Sequence, residues 1–165
     1  MILHYLLKNK ILIDDVALEF SEGRESVRMK LAGNYKADNQ VIQMGSSEVK
    51  SIYQRRDIYQ NSNSTENFFF LGYDKNDLLS EIEVHHCDKI KVLDTLFDFN
   101  DDLDSIASGL YRYSPISKHS EGEYFFKDLK IVIMDKTQMG GQGSTLGYFY
   151  CTSDATHIED DSATN

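Results

Sequence analysis

Two stretches of the chain carry residue types that do chemistry. The first is His85-His86-Cys87-Asp88, four potential metal ligands in a row. Zinc needs ligands that converge tetrahedrally, whereas neighbours on a strand point to opposite faces. On that reading His85 and Cys87 share a face, and the remaining ligands would have to come from His4, His119 or Cys151. None of the spacings CxxC, HxxxH or HExxH occurs. The second stretch is acidic, with Asp94, Asp98, Asp101, Asp102 and Asp104 close together. Asp98, Asn100 and Asp102 alternate as calcium ligands do, but the glycine and closing glutamate of an EF-hand loop are missing. The expectation is therefore no metal and no cofactor. Gly141-x-Gly143 precedes a β-rich stretch rather than a helix, which disqualifies it as a dinucleotide fingerprint. Ser114 and Ser120 lie near His119 without a nucleophile-elbow pattern. With no catalytic signature, the chain reads as a non-enzyme.

The acidic stretch belongs to a larger unit. Residues 89–110 (KIKVLDTLFDFNDDLDSIASGL) lie over residues 10–31 (KILIDDVALEFSEGRESVRMKL) without a gap, at a constant offset of 79 residues. Lys10/Lys89, Ile11/Ile90, Asp15/Asp94, Phe20/Phe99, Ser26/Ser105 and Leu31/Leu110 are identical. Each copy reads as strand, polar loop and short amphipathic helix, and a repeat of this kind governs the whole fold reading. Ser21 and Asn100 are the expected N-caps, with Glu22, Glu25, Asp101, Asp102 and Asp104 suited to the dipole of the first turn. Leu103, Ile106 and Leu110 form the expected buried stripe.

Around these units, residues 2–7 read as an edge strand or helix lead-in, and 40–44 and 48–59 as strands. Residues 61–66 (NSNSTE) form a polar loop. The clearest hairpin runs from 68 to 86, where Leu78, Ser80, Ile82 and Val84 alternate with Glu81 and Glu83. Residues 111–122 read as a loop, 123–135 as one long strand and 145–151 as the last strand. The prediction is an α+β fold: an antiparallel-rich sheet with a few short helices, built from two pseudo-repeated strand–helix–strand units in one domain. That domain spans 1–151, with repeats at about 10–88 and 89–151, and an acidic flexible tail follows over 152–165.

Composition bounds the function. The 165 residues carry a net charge of −10, with 41% hydrophobic and 12% aromatic residues. The charge is lopsided: residues 1–56 hold nine Lys/Arg against seven Asp/Glu, and residues 57–165 hold eight against twenty. An acidic surface repels phosphate and attracts basic partners, which argues against nucleic acid. No stretch approaches the ~20 apolar residues of a membrane span, and no signal peptide is evident. The expected setting is cytoplasmic, with Cys87 and Cys151 as reduced thiols.

Four segments resemble a broad group of small bacterial immunity proteins encoded beside polymorphic toxins, as in contact-dependent growth inhibition. They are DVALEF…SVRMKL (15–31), FFFLGYDKNDLLSEIE (68–83), IKVLDTLFDF…IASGL (90–110) and EYFFKDLKIVI (123–133). The resemblance implies an inhibitor that binds and neutralises a cognate toxin domain. Together with the acidic charge, it suggests a basic nuclease toxin. Asp94, Asp98, Asp101, Asp102, Asp104, Glu121 and Glu123 are the candidate partner-binding residues, with Arg55, Arg56, Tyr111 and Tyr113 as lesser ones. The rival readings are a small metal-dependent hydrolase using His85, His86 and Asp88, and a structural or assembly module.

Overall fold

The computed structural model describes residues 1–6, 9–42, 52–60, 67–156 and 158, with side chains left out at 42, 52, 118 and 119. Expectations for residues 7, 43–44, 48–51, 61–66 and most of the tail, and for the side chain of His119, fall outside it. The described residues form an α+β fold of mostly antiparallel strands with two short helices. β1 (Ile2–Leu6) leads into a hairpin of β2 (Lys10–Ile13) and β3 (Val16–Glu19), then α1 (Arg24–Leu31). Four strands follow as a meander: β4 (Tyr35–Ile42), β5 (Ile52–Gln60), β6 (Phe68–Tyr73) and β7 (Leu79–His86). The same order then recurs. A hairpin of β8 (Lys89–Val92) and β9 (Thr95–Phe97) leads to α2 (Leu103–Leu110). The closing meander is β10 (Ile116–Ser120), β11 (Glu123–Phe126), β12 (Ile131–Asp135) and β13 (Leu146–Thr152).

Two sheets result. The smaller has the order β3-β2-β1-β8-β9, and the larger β10-β11-β12-β13-β7-β6-β5-β4. In the larger, the two meanders meet through the antiparallel pair β13–β7, where Phe149 lies opposite Val84. In the smaller, β1 is central, antiparallel to β2 and parallel to β8. This corrects the edge-strand expectation for residues 2–7. Leu3 and Tyr5 alternate into the core while the backbone of β1 bonds on both sides, so it cannot serve as an edge. Alternating side chains from both sheets join Val27 and Leu31 of α1 and Leu103, Ile106, Ala107 and Leu110 of α2 in one continuous core.

The hairpins turn through two residues, Asp14-Asp15 and Leu93-Asp94. The first of each pair has positive φ, 52° at Asp14 and 56° at Leu93, as tight turns matched to strand twist require. The helices begin two residues later than expected, at N-caps Gly23 and Asp102 rather than Ser21 and Asn100. A turn comes first: Glu22 N–H donates to the Glu19 carbonyl (3.0 Å) and Asp101 N–H to that of Asp98 (3.2 Å). Each N-cap then bridges the start of its meander's last strand, Gly23 to Leu78 and Asp102 to Thr145. Two further expectations are corrected. Residues 123–135 are not one strand but the hairpin β11–β12, and 111–122 contains β10. Leu129 is buried in the turn between β11 and β12, which is why the apolar alternation runs through it unbroken.

Candidate partner-binding surface

The acidic residues of the second half are set by β9 and α2, which run side by side with a shallow groove of about 280 Å3 between them. Asp102 caps α2: its carboxylate accepts Ser105 N–H (3.1 Å) and the Ser144 hydroxyl (3.0 Å), and these bonds hold its pKa below the usual carboxylate range. Asp98 takes the Lys89 ammonium and Asn100 N–H (2.8 Å), which lower its pKa likewise. Asp101 accepts Asp98 N–H through Oδ2 (2.8 Å) and forms no ion pair among the described residues. Asp104 accepts the Tyr124 hydroxyl from β11 (2.6 Å). At the far end of the groove Asp94 pairs with Arg112 (2.5 Å), which also reaches the Thr95 hydroxyl (3.0 Å).

Of the five aspartates only Asp101 and Asp102 line the groove, Asp104 turns instead towards β11, and most of the five hold local structure together. Beside Asp101 and Asp102 stands Leu96, 58% exposed, and Tyr111 just past α2 is 59% exposed. Glu121 lies in the β10–β11 turn, where its carbonyl accepts the Gln138 side chain (2.9 Å). Glu123 opens β11 and accepts the Ser120 hydroxyl (3.3 Å). Its side chain leaves β11 on the face opposite Tyr124, so it does not join the aspartates across the strand. Arg55 pairs with Asp77 (2.9 Å), Arg56 with Asp38 (2.7 Å), and Tyr113 packs on the core beneath Arg112.

The His85–Asp88 stretch is dispersed. His85 stands among Phe68, Phe70 and Tyr148 on one face of β7, while the ring of His86 lies against Phe99 on the other. Cys87 is buried, its thiol pushed up to about 12 by that burial, and Asp88 pairs with the Met1 amine. No group of three metal-ligating side chains converges among the described residues.

Sequence reasoning missed the most buried charge among the described residues. Asp57 on β5 is fully buried and receives Arg24 (2.6 Å) and Arg28 (2.8 Å) from α1. Burial pushes its carboxyl up, but the two guanidinium groups outweigh this and hold it below the ordinary range. Arg24 also bonds Asn39 (3.0 Å) and the Arg56 carbonyl (2.9 Å), tying β4 and β5 to α1. The available signal was Arg24 and Arg28 sharing the helix face of Val27 and Leu31.

Comparison with known proteins adds nothing: no family model, no curated protein and no solved structure matches this chain. Among the described residues, no helix is long and apolar enough to cross a membrane.

Proposed function

We propose that this protein is a non-catalytic binding module that neutralises a basic protein partner, a toxin domain of the nuclease kind. The observation that carries the reading is the β9–α2 groove, where the exposed Leu96 is rimmed by Asp101 and Asp102. An apolar contact with an acidic rim suits a basic surface, since complementary charge speeds encounter and selects partners. The net charge of −10 extends that attraction beyond the contact.

We further propose that the chain is a duplicated hairpin–helix–meander unit. Both hairpins and both helices start 79 residues apart, at 10 and 89, 16 and 95, and 24 and 103. The hydrogen bonds that dock each helix keep the same offset on the helix side. Arg24 N–H donates to the Asp77 carbonyl and Leu103 N–H to that of Ser144; Leu79 N–H donates to Glu22 and Leu146 N–H to Asp101. In this reading two copies have diverged, one keeping a structural surface and the other a binding surface.

The test is co-expression with the toxic domain encoded beside the gene. A stoichiometric complex with loss of toxicity is the expected outcome. Charge reversal at Asp101 and Asp102 should slow association by about tenfold at low salt and flatten its salt dependence, with a native circular dichroism spectrum as the control for the cap that Asp102 supplies. Absence of any complex would sink the inhibitor reading, and an unchanged association rate would move the interface elsewhere.

A further inference from the structure

The groove between β9 and α2 has a counterpart between β3 and α1, about 370 Å3, and the two differ in one decisive respect. Position by position, Ala17 stands where Leu96 does and Glu22 where Asp101 does. The two carboxylates are aimed alike: Glu22 accepts Glu19 N–H (3.3 Å) as Asp101 accepts Asp98 N–H (2.8 Å). In the first groove a lysine lies across them. Lys30, in the last turn of α1, donates its ammonium to Glu22 (2.7 Å) and to the Ala17 carbonyl (3.2 Å). Glu22 is only 12% exposed, and burial pushes its pKa up while the bonds from Lys30, Ser26 and Glu19 N–H outweigh this and hold it below the usual carboxylate range.

The second groove has no such lysine, because Gly109 holds the corresponding place on α2. Any side chain there would start 3.1 Å from the Thr95 methyl, tighter than ordinary packing. Asp101 is left exposed. Leu96 in place of Ala17 adds an apolar wall, which suits the four methylenes of a lysine stem.

We propose that the β9–α2 groove binds a lysine side chain presented by the protein partner, its ammonium held by the Asp101 carboxylate and the Leu96 carbonyl. This is the place that Lys30 fills in the first unit, and the inference rests on the duplication and partner-binding readings above. One carboxylate oxygen and one carbonyl suit the compact ammonium of lysine; the planar fork of arginine calls for a bidentate carboxylate. The first unit thus carries a built-in copy of the contact that the second makes with its partner.

The test uses no toxin, so its result is separable from the co-expression experiment. The full chain, labelled with 15N, is titrated with acetyl-Gly-Lys-Gly-amide and with the norleucine analogue, which keeps the stem and lacks the charge. Saturable amide shifts are expected at Leu96, Asp101 and Ser105 with the lysine peptide, in the millimolar range, and none at Ala17 or Glu22. The norleucine peptide should bind at least threefold more weakly. Asp101→Asn should weaken the lysine peptide by a similar factor. Lys30→Ala, which removes both the ammonium and the stem from the first groove without touching the core, should make Ala17 and Glu22 respond as well. No shift at Leu96 and Asp101, equal binding of norleucine, or a first groove that stays silent after Lys30→Ala would each overturn the proposal. An arginine peptide that binds better than lysine would overturn the choice of side chain. A toxin complex that forms while the peptide fails would leave the binding module standing and remove the lysine site.

Discussion

At the scale of single residues, Asp57 decides most. A fully buried carboxylate is tolerated here because Arg24 and Arg28 both reach it and Asn39 and the Arg56 carbonyl satisfy what remains of Arg24. Removing one member of a buried ion network leaves its partners uncompensated, at a cost of about 3–5 kcal/mol. Asp57→Asn should therefore lower the urea midpoint strongly while the far-ultraviolet spectrum stays native at low denaturant. The pH dependence follows from the sign of the shift. The folded pKa lies below the unfolded value of ~3.9, so the stabilisation is complete above that value and disappears as pH falls through the folded one. Urea midpoints measured at falling pH should drop through this acid window in the wild type and drop less in Asp57→Asn. An unchanged acid limb would show that Asp57 is not the group that titrates.

At the scale of elements, α2 shows how the acidic stretch divides its work. Asp102 is the N-cap, Asp98 and Asp101 shape the turn before it, and Asp104 ties the first helical turn to Tyr124 on β11. Asp102→Ala should lower the thermal midpoint by a few degrees, since it strips both Ser105 N–H and the Ser144 hydroxyl of an acceptor. Asp101→Asn should leave the midpoint nearly unchanged, because an amide oxygen can still accept Asp98 N–H. Thermal denaturation of the two variants separates folding from binding: a large loss in Asp101→Asn would make that residue structural. The expected caps Ser21 and Asn100 were displaced by a local and a nonlocal event. Their loops first close a turn, Glu19 to Glu22 and Asp98 to Asp101, and then bridge a distant strand, and the bridge has no record in the residues around the cap.

At the scale of the whole molecule, β1 and the β7–β13 pair join the two halves. β1 bonds β2 on one side and β8 on the other, and Leu3 within it is wholly buried between Ile13 and Ile90 in register. Leu3→Ala should cost about 2–5 kcal/mol, as deletions at closed core sites do. With one core running through both sheets, unfolding should remain a single transition. Circular dichroism and tyrosine fluorescence should therefore report coincident midpoints in the variant. Separate midpoints would mean that the halves are independent folding units. Beyond β13 the chain stays against the larger sheet, where Ala155 is buried and Ile158 packs with Phe125, Val132 and Tyr150.

The sequence by itself determined the local grammar: a strand opening each unit, helices ending at Leu31 and Leu110, the strand alternation of Ile82 and Val84, and an antiparallel-rich α+β class. These follow from periodicity, turn chemistry and capping within a few residues. It also placed five aspartates in one stretch, of which the fold sets Asp101 and Asp102 in the groove between β9 and α2. The loop read at 93–102 hid the hairpin turn at Leu93-Asp94 and strand β9. Only the tertiary structure decided which strands neighbour one another, that Arg24 and Arg28 meet Asp57, and that Glu123 faces away from the aspartates. It alone set Lys30 across one groove and left Gly109 beside the other. Pairings between residues tens of positions apart depend on register and sheet order, and local pattern carries no record of either.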